Sequence, residues 1–158
     1  MMKEPILNID QAIRALVMGQ QRILSLVVQV DPSAECYTGW NVRDVVAHLV
    51  GWDEVALTIA KDLAGISHAH IGKIDSIDTY NAQSTKKREH LELKICVEEY
   101  VSTRRELLGT IAQLDPTKFH KVVNLPWGGE GTLLEVLDTW VEHEEQHRAD
   151  LMACLKGK

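Results

Sequence analysis

Four long stretches of this chain repeat their apolar residues at helical spacing, and strong breakers separate them, so the sequence is constrained to stack helices. The first stretch runs from Ile9 to Val30, with Ile13, Leu16, Val17, Leu24 and Val27 as its stripe. Asn8 and Gln11 offer a capping box, and Asp31-Pro32 ends it. The second runs from Val42 to Ala64, with Asn41 as cap and Asp44 in the first turn. Val45, Leu49, Trp52, Ala56, Ile59 and Leu63 share one face, and Gly65 closes the helix. The third is expected over Thr79 to Leu114 as a single helix with a bend in its wholly polar run Gln83 to Glu89, and Asp115-Pro116 stops it. After a turn-rich loop containing Pro126-Trp127-Gly128-Gly129, Thr132 and Glu135 form a capping box that opens a fourth helix reaching Leu155.

Long helices without period-2 alternation or an internal repeat point to an all-α protein, an antiparallel four-helix bundle. A chain of 158 residues is long enough for one real core, so residues 1–158 are expected to form a single domain.

The charge balance excludes one large class of partners. With 23 acidic against 17 basic residues the net charge is -6, a field that repels a phosphate backbone, so no nucleic acid is expected. The basic run Lys86-Lys87-Arg88 is followed at once by Glu89 and Glu92 and reads as a solvated helix face. No stretch approaches the roughly 18 apolar residues of a membrane span, and the N-terminus has no signal-peptide core. Cys36, Cys96 and Cys154 are odd in number and far apart, which suggests reduced thiols rather than a disulfide framework. A cytoplasmic protein without membrane contact is the resulting expectation.

The chemistry is concentrated in histidines. His143-Glu144-Glu145-Gln146-His147 lies inside the fourth helix, where i,i+4 spacing puts both imidazoles on one side, a turn apart. The segment also spells HExxH, the pattern of zinc proteases. Such enzymes take a third ligand from downstream, and the eleven residues after His147 contain no His or Glu, which argues against that class. A third ligand must come from upstream. His68 and His70 lie in a loop, His90 on a charged face and His120 near a turn, whereas His48 alone sits on an apolar helix, at the border of the Val45, Leu49, Trp52 stripe.

Taking about 100° per residue, His147 falls about 40° from the inward direction of Leu133 and Leu151, Glu144 about 20° on the other side, and His143 about 80° away. An inward Glu requires a partner or a nearby cation. Two readings stay open at this point. The histidines are hydrogen-bonded core residues and Glu144 pairs with Arg14, Arg22 or Arg43, or His48, His143 and His147 hold a metal ion with Glu144 beside it.

Three segments then resemble one family in order and spacing: Trp40-Asn-Val-Arg-Asp44-Val-Val-Ala-His48-Leu-Val-Gly-Trp52, Tyr80-Asn81, and Trp140-Val-Glu-His143-Glu-Glu-Gln-His147-Arg-Ala-Asp150-Leu. Together they look like the DinB/YfiT-like superfamily of four-helix bundles, and the similarity spans nearly the whole chain. The resemblance implies one divalent metal, zinc or nickel, on His48, His143 and His147. It also implies a metal-dependent enzyme acting on a small-molecule substrate, by analogy a thiol-dependent S-transferase or a hydrolase, with a low-molecular-weight thiol as a second cofactor in the former case. Glu144 is the expected catalytic base, and Asp44, Asp53 and Asn81 are weaker candidates for the site. Trp127 is placed to cover it, turn packing being the simpler account. A homodimer is the expected assembly. The competing expectations are a metal-free protein that binds or sequesters a small molecule, and a structural ion that only staples two helices.

Overall fold

The computed structural model describes residues 5, 7–66 and 70–157, so the expectation for His68 lies outside the described residues. The helices are α1 (Ile9–Val27), α2 (Val42–Ala64), α3 (Ile77–Lys87), α4 (Leu93–Ala112) and α5 (Leu133–Lys156). A hairpin of β1 (Glu35–Tyr37) and β2 (Trp40–Asn41) joins α1 to α2. A short 3-10 turn (Pro116–His120) and a second small hairpin, β3 (Val123–Asn124) and β4 (Glu130–Gly131), join α4 to α5.

The caps form as their residue types dictate. The Asn8 and Gln11 side chains exchange bonds with each other's backbone N–H groups at 2.9 and 3.0 Å. Asn41 with Asp44 and Thr132 with Glu135 do the same, so the first amides of α1, α2 and α5 are satisfied locally. Gly65 ends α2 with φ +69°, the left-handed conformation that a glycine adopts without strain.

The expected single third helix is two. Ser76 caps α3, and the chain turns between Lys87 and Leu93 because Arg88 points inward rather than to solvent. Its Nη2 donates to Glu54 of α2 at 2.7 Å and its Nε to Glu99 of α4 at 2.5 Å. The polar run Gln83 to Glu89 is therefore the end of α3 and the start of a corner held by a buried cation, not a wholly solvated face. At the other end of the crossover, Tyr80 donates to the Gly51 carbonyl at 2.7 Å, and the missing side chain of Gly51 makes room for Ser84.

This split sets the topology. Leu7 N donates to Asp138 at 3.3 Å near the starts of α1 and α5, and Cys36 joins Cys154 at their far ends, so those helices run parallel. Likewise α2 and α4 run parallel, with Arg43 bonded to the Glu89 carbonyl at one end and Lys61 to Glu106 at the other. The expected antiparallel pairing holds for α1 with α4 and for α2 with α5. The bundle is thus up, down, down, up, and residues 65–92 form the long connection that returns the chain to the level where α2 began.

The Cys36–Cys154 disulfide corrects the expectation of three reduced thiols; Cys96 alone is free, and buried. The cysteines are 118 residues apart in sequence, but parallel α1 and α5 bring the loop after α1 to the end of α5. The cysteine argument for a reducing, cytoplasmic setting is thereby removed. Among the described residues, no helix is long and apolar enough to cross a membrane.

The core is in two apolar halves. One gathers Leu16, Val55, Ile59, Leu107, Leu133 and Leu137, the other Ile23, Val42, Val46, Tyr100 and Leu151. Between them a buried polar layer crosses the bundle.

Candidate metal centre

Arg104 of α4 is the hub of that layer, and only 1% of it is exposed. Its Nε and Nη2 donate to both carboxylate oxygens of Asp53 on α2, at 2.9 and 2.8 Å. Nη2 also donates to Glu144 of α5 at 2.5 Å, and Nη1 to the Leu16 carbonyl of α1 at 2.8 Å. Tyr100 donates its hydroxyl to Glu144 as well. Burial works against the charge on Arg104, but the two carboxylates overcome it and hold its pKa well above the ordinary value. Burial pushes Asp53 up to about 6, against the opposing pull of Arg104, which leaves it ionised at neutral pH. Four helices thus share one charge-assisted network.

Glu144, the expected catalytic base, is committed to this layer. The partner that satisfies it is Arg104, not the Arg14, Arg22 or Arg43 that the sequence offered. The signal was present, since Tyr100, Arg104, Leu107 and Ile111 follow the spacing of a single inward stripe on α4. Asp53 has the same structural occupation, and Asp44 caps α2 while pairing with Arg43 at 2.9 Å.

The three expected ligands do come together. His48 Nε2 lies 2.8 Å from His143 Nε2, which lies 3.0 Å from His147 Nε2. A ligand atom from each lies within 4.8 Å of the other two. His70, His90 and His120 are exposed and take no part. The hairpin and α2 enclose the group with aromatic rings: Trp40 lies 4.8 Å from the His48 ring and Tyr37 lies 5.9 Å from that of His147.

Burial, followed by the neighbouring His143 and His147 rings, lowers the His48 pKa to about 2. Burial chiefly lowers His143 and His147 to about 4. All three imidazoles are neutral at pH 7 and carry lone pairs. Such a cluster cannot satisfy itself: the buried Nδ1 atoms of His48 and His147 have no hydrogen-bond partner among the described residues. Asp150 Oδ2 stands 3.1 Å from His147 Nδ1, off the line of a hydrogen bond but close enough to hold a protonated Nδ1 by a small turn.

The donor set fits a divalent ion. Three neutral imidazoles suit zinc, copper or nickel. Tetrahedral bonds of about 2.0–2.1 Å separate ligand atoms by roughly 3.3 Å. The two spacings to His143 Nε2 need to open by only a few tenths of an ångström.

Beside the histidines lies a cavity of about 340 Å³. His48 and His143 reach it, Trp52, Trp127 and Trp140 wall it, and Asn81 lies at its edge. Trp127 from the loop before α5 stacks on Trp140 with ring centres 5.9 Å apart, so it both packs the turn and borders the site. Glu144 is absent from the lining, to which this part of α5 contributes Glu142, His143 and Gln146.

No curated protein matches the chain by sequence. Among solved structures it is similar to one described as an uncharacterised protein from Escherichia coli UTI89. The TM-score is 0.76 with 15% identity, covering 94% of this chain and 92% of the other, a likeness of fold. The sequence matches the DinB superfamily over residues 15–151, which include the polar layer and all three histidines. With that match over most of its length, the chain belongs to the DinB superfamily.

Proposed function

We propose that this protein is a metal-dependent enzyme that holds one divalent ion, zinc or nickel, on His48, His143 and His147 and acts on a small molecule in the adjoining cavity. The observation that carries the reading is the convergence of three neutral Nε2 atoms, two of them on histidines that line that cavity. The ion would supply Lewis acidity at an open position, making a nearby water or thiol nucleophilic at neutral pH.

The chain's own residues do the rest. Low histidine pKa values keep the donors unprotonated, so an ion need not compete with protons near pH 7. Asp150 orients His147, while Tyr37 and Trp40 keep bulk water from one side of the rings. The aromatic walls bind the substrate body. The family analogy favours thiol transfer, with hydrolysis as the related alternative. An ion that merely stapled α2 to α5 would need no cavity reaching two of its ligands, which favours catalysis over a structural role.

Elemental analysis of protein purified without added metal tests the site. A single divalent ion per chain is expected, lost in His48→Ala and His147→Ala. No metal in the parent, together with unchanged stability in both variants, would overturn the proposal. Turnover with common low-molecular-weight thiols then separates transfer from hydrolysis.

A further inference from the structure

The protons of the three histidines can be placed from their contacts. His143 Nε2 is the shared atom, 2.8 Å from that of His48 and 3.0 Å from that of His147. A neutral imidazole carries a proton on one nitrogen and a lone pair on the other, so His143 Nε2 either donates to both neighbours or accepts from both. Asp150 decides between these. Its Oδ2 stands 3.1 Å from His147 Nδ1, where a carboxylate calls for a proton rather than a second lone pair. His147 is then the Nδ1–H form, its Nε2 accepts, and His143 is the donor to both rings. By the same sharing His48 also carries its proton on Nδ1. That nitrogen is buried and has no hydrogen bond among the described residues, so its proton calls for an acceptor.

Asn81 is the neighbour that fits. Helix α3 docks on α2 about one turn past His48, where Tyr80 donates to the Gly51 carbonyl at 2.7 Å and Ser84 occupies the space a side chain at Gly51 would take. Asn81, between them in sequence, lines the same cavity as His48 and Trp52. Its side chain raises the His48 pKa against burial and the neighbouring histidines, although the approach stops short of a formed hydrogen bond. With His48 Nε2 turned to His143, the nitrogen left for Asn81 is Nδ1. Trp52 settles which end of the amide is presented, since its Nε1 can only donate and stands 2.8 Å from Asn81 Oδ1. A carbonyl oxygen has two lone pairs, so the same Oδ1 keeps one for His48.

We propose that Asn81 is the positioning residue of His48: its Oδ1, turned by Trp52, accepts the Nδ1 proton and keeps the Nε2 lone pair directed at the other two rings. The inference rests on the metal reading only for the use made of that lone pair. Asn81 then does for the α2 histidine what Asp150 does for His147 on α5. An acceptor of this kind fixes both the tautomer and the ring orientation of a ligand, and its loss typically weakens metal binding about 10- to 100-fold.

Two measurements test this. In isotopically labelled, chelator-treated protein at neutral pH, long-range proton–nitrogen correlation spectra report which nitrogen of each imidazole holds the proton, and the His48 signals are those lost in His48→Gln. His48 is expected in the Nδ1–H form, and that form is expected to give way in Asn81→Leu, which removes the acceptor at similar size. Zinc affinity, read by competition with a chromogenic chelator, is expected to fall about tenfold or more in Asn81→Leu. Asn81→Asp keeps an oxygen for both donors and is expected to restore the Nδ1–H form and to bind zinc at least as tightly as the parent. A residue that only packed α3 against α2 would lower the melting temperature in both variants without moving the tautomer. That result, a His48 ring protonated on Nε2 in the parent, or an Asn81→Asp variant no better than Asn81→Leu would overturn the inference. An Nδ1–H form that depends on Asn81 in a protein that takes up no zinc would sink the metal proposal and leave this one standing. Zinc bound equally by the parent and by Asn81→Leu would do the reverse.

Discussion

Gly19 of α1 makes the space in which the Glu144 carboxylate sits, since a Cβ at Gly19 would stand 2.7 Å from Glu144 Oε2. A glycine inside a helix costs about 1 kcal/mol relative to alanine, so its presence at mid-helix needs a reason of this kind.

Gly19→Ala should therefore destabilise the protein although alanine is the better helix former. The added methyl displaces the carboxylate from Arg104 and Tyr100, with a net loss of roughly 1–3 kcal/mol. Urea denaturation measures it. A gain in stability would mean that Glu144 has room to retreat and that the polar layer is looser than its distances indicate.

Removing the hub should cost more. Arg104→Met leaves Asp53 and Glu144 facing each other without a cation, a loss of about 3–5 kcal/mol. Glu144→Gln keeps the shape and should cost less, about 1–3 kcal/mol, while leaving the metal content of the purified protein unchanged. A variant that lost its metal but kept full stability would return Glu144 to the metal centre.

Acid should weaken the metal-free protein through its histidines. Unfolded histidine titrates near 6.5, whereas burial lowers His48 to about 2 and His143 and His147 to about 4. Below pH 6.5 the unfolded chain takes up protons that the folded chain refuses. The stabilisation is thus complete above 6.5 and is lost as pH falls towards 4, on the order of 1 kcal/mol per histidine per pH unit. Urea midpoints in chelator at pH 7.5 and pH 5 test the sign. His48→Ala should flatten the slope, and equal slopes would contradict the buried, neutral state of that ring.

The disulfide should contribute stability of about 2–4 kcal/mol, because it closes a long loop in the unfolded chain. Cys36→Ser, or a reducing dithiol, should lower the melting temperature. Because the hairpin beside Cys36 carries the rings against His147 and His48, the same change should broaden their NMR signals. Identical melting curves with and without reductant would mean that the two thiols are not joined in solution.

Much of this was legible in the residues because it is local. The caps at Asn8, Asn41 and Thr132 need only the next three residues to form, and they appear as written. His48, His143 and His147 could be picked out because each lies on or beside an apolar helical face, and helical spacing survives folding. What escaped is what depends on distant partners. Arg88 looked like one member of a basic run until Glu54 and Glu99 arrived from two other helices. The fate of Glu144 depended on Arg104, 40 residues away, and the Cys36–Cys154 bond on a parallel pairing of α1 and α5 that periodicity does not encode.

The polar layer around Arg104 acts on the histidines without touching their nitrogens. Apolar stripes alone allow one helix to slide past another by a turn, about 5.4 Å, with little change in the area buried. Here a slip of α5 against α4 would carry Glu144 away from Arg104 and into one of the apolar halves, and a slip of α2 would do the same to Asp53. The network is in that sense a vernier between helices. By tying Asp53 to Glu144 it fixes the register in which His48, five residues before the first, meets His143 and His147, which flank the second.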